Sequence, residues 1–490
     1  MRSVSNIAAV SLFLLAGLAG CAKKTSSNGG SVSATTAGEP QLSSDQVAQA
    51  RSNYTNYCGG CHGRELETFV NRKWQHGDSP EALFKGIKHG YPEQGMPAYA
   101  TTFSDDQITQ LVSFIRQGIQ AQKDKPESKS NVTVHRSEKV NFELEQVVTG
   151  LDVPWAMAFL PNGDMLITER SGTLYRFTKN KELQRIEGVP QVLSQGQGGL
   201  LDVKLHPDFA KNNVLFLSYS AFKKDGGQTL STTAITRARL DGNSLTDQKQ
   251  IFEGLPYLRT RHHYGCRMEF GRDGYLYFSM GDRGGTRENP QNLNVHPGKI
   301  HRIKEDGSIP ADNPFVNKSG AMASIFTFGN RNPQGVALNP TSGEVWAHEH
   351  GPKGGDEVNI LKKGANYGWA DVTYGIDYNG SKISDLKQKA GITDAIKYWV
   401  PSIAPSGMAF VTGNRYKGWE GDLLVGSLSY KFLSRLDVDG NRVIKEERLL
   451  SDIGRVRDVR QSPDGYIYLA VENPGVIYRL VPSDEPNAGN

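Results

Sequence analysis

Two thiols and an imidazole crowd together at Cys58-Gly59-Gly60-Cys61-His62. Cysteines at this spacing can form thioethers to porphyrin vinyl groups, and the histidine that follows is then held under the iron as an axial ligand. The same residues could be half of a zinc knuckle or a redox dithiol. A zinc site, however, needs a second Cys pair and a redox dithiol a βαβ frame, and neither surrounds this motif. A low-spin iron also needs a sixth ligand. Met96, in the Gly/Pro loop G-Y-P-E-Q-G-M-P-A-Y, offers a soft thioether that raises the potential; His76 and His89 are competing donors without that loop context.

Further along, five segments carry functional groups among glycines: S-Q-G-Q-G-G-L-L-D (194–202), R-H-H-Y-G-C-R (261–267), F-G-N-R-N-P-Q-G (328–335), E-H-G-P-K-G-G-D-E (349–357) and G-R-V-R-D-V-R (454–460). Together they supply imidazoles, guanidinium groups, amides and approachable backbone carbonyls. Each alone could be a turn or a structural ion pair. The first faintly resembles a dinucleotide fingerprint, but no strand–helix unit follows, which argues against NAD.

The elements that must hold these groups differ along the chain. Residues 44–120 read as a small helical domain whose last helix is capped by Ser104 with Gln107 in capping-box position. Ile108, Leu111, Val112, Ile115 and Ile119 then form one apolar stripe. From 141 to 484 the period changes to strand–turn–strand. Six similar hairpins recur: AFLPNGDMLIT (158–168), KLHPDFAKNNVLFLS (204–218), EFGRDGYLYFS (269–279), ALNPTSGEVWAH (337–348), KGWEGDLLVGS (417–427) and RQSPDGYIYLA (460–470). Such a recurrence predicts an all-β six-bladed β-propeller, preceded by the small all-α domain and closed by 141–148 pairing beside 475–481. Abundant Gly (54), Tyr (19) and Phe (19) suit turn-rich, aromatic-rich β structure.

The first 21 residues are an address: Arg2, an apolar run from Ile7 to Leu18, then L-A-G-C. That box resembles a bacterial lipoprotein cleavage site, which implies acylation at Cys21 and anchoring on the periplasmic side, with Ala22 favouring the outer membrane. Residues 22–43 are a polar tether and 121–140 a linker. Of four cysteines only Cys266 is then left over, most simply a small buried hydrophobe in a strand-like run. A net charge of +4 over 490 residues and the lack of a basic run give no support for nucleic-acid binding.

Residues 44–120 resemble class I cytochromes c: a helix before CXXCH, a G-M-P loop and a capped terminal helix. Residues 145–482 resemble the soluble quinoprotein glucose dehydrogenase and aldose sugar dehydrogenase family. The likeness rests on LDVPWAMAFLPNGDMLITER, GQGGLLDVKLHPDF, HHYGCRMEF, GKIHRI, GNRNPQG, EHGPKGGDE, GANYGW and VRDVRQSPDG. The resemblance implies pyrroloquinoline quinone (PQQ) on the propeller, with His263 as general base, Gln197 beside quinone and substrate, and Arg331 and Asn332 over the quinone oxygens. It implies Ca²⁺ on the main-chain carbonyls of Gly351 and Pro352, and Arg455 and Arg457 facing the PQQ carboxylates. His263 would take the anomeric proton while hydride passes to the quinone. His262 departs from the acidic or amide residue common before the base, and His350 from a Gln. Ser429 stands where a PQQ-contacting Lys is usual, with Lys431 two residues on as a substitute. The implied protein oxidises an aldose with PQQ and passes electrons through haem c to a periplasmic acceptor. Sorbosone or a non-sugar alcohol as substrate, or a propeller that only docks the cytochrome to a partner, are alternative readings.

Overall fold

The computed structural model describes residues 42–62, 66, 69, 74–123 and 133–483, with the side chains of Gly60, Cys61, Gln122 and Lys123 excepted. The leader, Cys21, most of the tether and the middle of the linker lie outside the described residues.

The helical unit begins with α1 (Ser44–Tyr57), whose N-cap Ser43 and Gln46 exchange side-chain-to-backbone bonds in a capping box. Then come α2 (Gly59–His62), α3 (Pro80–His89) and α4 (Asp105–Lys123). Ser104 and Gln107 form the expected box at the start of α4: Gln107 Oε1 accepts from the Ser104 amide at 2.9 Å, and Ser104 Oγ from the Gln107 amide at 3.3 Å. Ile108, Leu111, Val112 and Ile115 are buried with Tyr54, Cys58, Phe69 and Phe103, so the α4 stripe forms the core of this unit.

The remainder of the described residues forms six antiparallel sheets, five of four strands and one of five. Their inner strands are Pro154–Phe159, Leu200–Leu205, Met268–Phe270, Pro333–Leu338, Pro405–Phe410 and Arg455–Gln461, which open blades 1 to 6. Each of the six sequence hairpins is the turn from the first to the second strand of one blade. KGWEGDLLVGS matches least because its first half is loop: the inner strand ends at Phe410, and the second strand starts at Leu423. The wheel closes as the hairpin pattern requires, with Phe142–Val148 pairing against Val476–Pro482, Leu144 opposite Leu480.

Apolar clusters fill the seams between neighbouring blades. Leu166 and Leu217 belong to the seam between blades 1 and 2, Phe216 and Phe278 to the next, and Trp346 and Phe410 to that between blades 4 and 5. Each such side chain contributes about 1.5–3 kcal/mol by leaving water. Near the axis the inner strands are bound by charge. Arg267 lies 2.9 Å from Asp458 and 3.4 Å from Asp202, and donates to the carbonyls of Gln334 and Arg457 at 2.9 Å. Arg460 completes the group against Asp202 at 2.7 Å. Removing any one of these would leave a buried charge uncompensated, at about 3–5 kcal/mol.

In a four-stranded antiparallel blade, the connection into the inner strand and that between strands two and three emerge at the same end. The segments 194–202, 261–267 and 328–335 are connections into blades 2, 3 and 4, and 349–357 joins strands two and three of blade 4. Arg455 and Arg457 begin the inner strand of blade 6. Topology therefore gathers all five at one mouth, opposite the repeated turns.

Candidate active site

The segment before blade 3 leaves regular structure: His263 (φ 54°) and Cys266 (φ 83°) both adopt left-handed backbone. Cys266 thus sits just outside the strand in which it was expected. Burial pushes its thiol up to about 12, which keeps it inert. Left-handed backbone at non-glycine residues costs of order 1–3 kcal/mol and persists where surrounding bonds enforce it. Here Gln197 Oε1 accepts from the His263 amide at 2.8 Å, and Asn332 Oδ1 from the Gly265 amide at 3.2 Å. Gln197 and Asn332 thereby shape the turn that presents the imidazole.

The imidazole is aimed by a residue the sequence reading did not single out. His263 Nδ1 lies 2.6 Å from Asp282 Oδ1, and both side chains are buried. Asp282 follows the second strand of blade 3, and its carboxylate also accepts from the Gly284 amide at 2.8 Å and Trp369 Nε1 at 3.0 Å. Burial alone would raise the Asp282 carboxyl, but His263 and Arg331 outweigh it and hold the group below its usual range. A carboxylate only accepts, so Nδ1 carries the proton and Nε2 keeps its lone pair. Burial, reinforced by Arg331, holds His263 below its usual pKa against the pull of Asp282. The result is a neutral imidazole whose Nε2 is free to accept a proton. The available signal was G-D-R-G-G (281–285), an acid among glycines directly after a predicted strand.

Arg331 enters from blade 4 and is buried. Its backbone amide donates to Glu349, and Nη1 donates to the carbonyls of His350 (3.1 Å) and Gly351 (3.2 Å), with the guanidinium 5.3 Å from the Trp369 ring centre. A small pocket lies between Arg331, Glu349, Gly351, Glu357, Trp369 and Thr373. Burial lifts the two glutamates, Glu349 to about 7 and Glu357 to about 8, and Glu349 adds to the rise of Glu357 across the strand pair. His350 Nε2 is bonded to the Pro405 carbonyl at 2.6 Å, so the ring braces blade 4 against blade 5.

Arg455 and Arg457 share one buried partner, Glu472, at 3.0 and 2.6 Å. Arg455 also donates to the Leu428 carbonyl at 3.1 Å, and Arg457 to Gln334 Oε1 at 3.3 Å. Lys431, buried and left-handed at φ 56°, lies in the same turn as Leu428. In the helical unit, His62 stacks on Phe69 with ring centres 4.9 Å apart, and Met96 packs against the cluster containing Cys58 and Phe69. The Cys61 side chain lies outside the described residues.

Residues 151–479 match the family model described as glucose / sorbosone dehydrogenase, and 45–115 that of the cbb3-type cytochrome c oxidase subunit III. The fold and mouth are thus those of a sugar-dehydrogenase propeller carrying a cytochrome c unit. The chain belongs to the glucose/sorbosone dehydrogenase family of oxidoreductases. It is 44% identical over 351 residues to the aldose sugar dehydrogenase YliI of Escherichia coli K12, covering 70% of this chain and 93% of that protein. The soluble aldose sugar dehydrogenase of Escherichia coli in its apo-form superposes with a TM-score of 0.66 at 40% identity, over 70% of this chain and all of that one. The PQQ-bound aldose sugar dehydrogenase of Streptomyces coelicolor does so with a TM-score of 0.57 at 28% identity, over 73% of this chain and all of the other.

The residues present suit the groups this family implies. Glu472 is held well below the carboxylate range because Arg457, Arg455 and Arg170 outweigh its burial. Arg455 and Arg457 on the single carboxylate of Glu472 leave a surplus of positive charge suited to a polycarboxylate. At blade 4, a Cβ on Gly351 would lie 2.0 Å from the Gly354 oxygen and 2.7 Å from that of Gly355, so main-chain carbonyls converge there. Among the described residues no group of three His, Cys, Asp or Glu could hold a metal, so a cation here would depend on backbone oxygens, as hard Ca²⁺ can. Thiol, imidazole and thioether donors around one apolar cluster suit a haem.

Proposed function

We propose that this protein oxidises an aldose at C1 to the lactone with PQQ, and that electrons pass to the haem c of the same chain and on to an external periplasmic acceptor. The observation that carries the reading is the His263–Asp282 pair at 2.6 Å, set at the mouth that also holds Arg331 and the Arg455/Arg457 pair. His263 Nε2 takes the proton of the anomeric hydroxyl, while Asp282 fixes the tautomer and stabilises the imidazolium that forms. Arg331 faces negative charge that develops near the reacting carbon. Arg455, Arg457 and Lys431 would hold the carboxylates of PQQ, Gln197 and Asn332 its quinone side, and Gly351 and Pro352 a Ca²⁺. When bound, PQQ supplies the two-electron acceptor and haem the one-electron carrier. Cys58 and Cys61 would attach the haem, and His62 and Met96 would hold its iron.

The leader supports acylation at Cys21 and a lipid-anchored place on the periplasmic side of the cell envelope, in the outer membrane. The whole reading is tested by mixing the holo-protein with a panel of aldoses and following haem reduction by absorbance. Rapid reduction by at least one sugar is expected; no reduction by any, with PQQ bound, would overturn it.

A further inference from the structure

The helical unit touches the propeller at the mouth just described, through residues adjoining the haem donors. Gly95 precedes Met96, and a Cβ placed on it would lie 3.1 Å from His262 Cβ and Cγ; His262 precedes His263. Tyr57 precedes Cys58, and its ring lies 4.6 Å from Lys353 Nζ, which follows Gly351-Pro352. Glu93 bonds Arg259 at 2.7 Å through its side chain, and its carbonyl accepts from the Arg261 amide. The two segments that offer iron ligands therefore rest one on each of two loops: the Met96 segment beside the proposed base, the Cys58 segment beside the proposed cation site.

His262 is the centre of this contact. Its ring stands edge-on to His263, with centres 4.7 Å apart, and it fills the space over Gly284, where a Cβ would lie 1.7 Å from Nε2. Nδ1 is buried and has no hydrogen-bond partner among the described residues. An unpaired buried polar atom costs about 1–3 kcal/mol, and nothing within the propeller offsets it. What the ring provides instead is an unbroken line of contact, His263–His262–Gly95–Met96.

We propose that the cytochrome unit docks on the quinone mouth of its own propeller, with His262 as the positioning residue and the Glu93–Arg259 pair as the steering contact for internal electron transfer. The proposal rests on the sugar-oxidation reading for the source of electrons. Two electrons leave the reduced cofactor one at a time. Each reduces one ferric haem, which an external one-electron acceptor reoxidises, and two protons pass to solvent.

The test uses the full chain. In Glu93→Arg, like charges face each other across the contact, and sugar-driven haem reduction in stopped flow should slow about tenfold or more. Sugar-driven reduction of an artificial dye and ascorbate reduction of the haem should both stay at wild-type rates. The charge swap Glu93→Arg with Arg259→Glu should restore fast haem reduction, which a general folding defect would not allow. His262→Ala should slow haem reduction more than dye reduction. Hydrogen exchange at the Arg261 amide is read on protein without PQQ or sugar, so it is independent of the catalytic reading. Slow exchange in the wild type and fast exchange in Glu93→Arg support docking. Equal exchange in both, together with unchanged haem reduction, would overturn it, whatever the substrate proves to be.

Discussion

His263 and Asp282 face each other at 2.6 Å across the turn between the entry to blade 3 and the end of its second strand. The pair makes an imidazole that is buried, neutral and of fixed tautomer.

Asp282→Asn should leave the fold and PQQ binding intact but lower sugar-to-dye turnover by about two orders of magnitude or more, because an amide can hold either tautomer of the base. His263→Ala should do at least as much. Turnover by Asp282→Asn within a few-fold of wild type would show that the carboxylate does not orient the base.

Since His263 is depressed below its ordinary pKa, the acid limb of kcat/KM should fall with a midpoint below the ordinary histidine value of about 6.5, with a plateau through neutrality. A midpoint above that value would mean that a different group is titrating.

Stability should also fall on acidification of the apo-protein. Burial holds His262, His263, His296, His301, His348 and His350 neutral: His296 at about 4, His348 at about 3, and the others also below their usual value. The unfolded chain takes up protons below about 6.5 that the folded one refuses, so each histidine removes up to about 1.4 kcal/mol per pH unit below that point. Glu349, Asp356 and Glu357, raised by burial to about 7, 7 and 8, act in the opposite sense. Histidines outnumber them, so Tm should drop between pH 6.5 and 5. A flat Tm over that range would show that these rings are not held neutral.

Glu472→Gln removes the carboxylate shared by Arg455 and Arg457. Two buried guanidinium groups then lose their counter-charge, so the apo-protein should lose about 3–5 kcal/mol. Added PQQ should restore more Tm to this variant than to the wild type. Equal shifts would argue that these arginines do not meet its carboxylates.

Gly351→Ala would drive a Cβ to 2.0 Å from the Gly354 oxygen. The loop must then move, and Ca²⁺-dependent reconstitution with PQQ should need markedly more metal. An unchanged calcium requirement would place the cation elsewhere.

Much of this architecture was legible in the chain. The hairpin turns repeat because every blade solves the same local problem, a tight reversal between two strands, and local problems leave local signatures. The capping box at Ser104 and the α4 stripe are equally local. The weak fifth copy, KGWEGDLLVGS, shows the limit, since its first half is loop.

Asp282 escaped notice for a related reason. An aspartate after a strand resembles any turn aspartate until Trp369 and His263, each from another connection, close around it. Glu472 is likewise an ordinary strand residue until the bulged inner strand brings two arginines to it. The sequence by itself determined the kinds of element, the six-fold repeat, the CXXCH motif and which segments carry unusual chemistry, because each depends on neighbours in the chain. Only tertiary structure decided which acid pairs with His263, which charges cancel, and that Gly95 meets His262, because those depend on distances between residues that the chain itself leaves far apart.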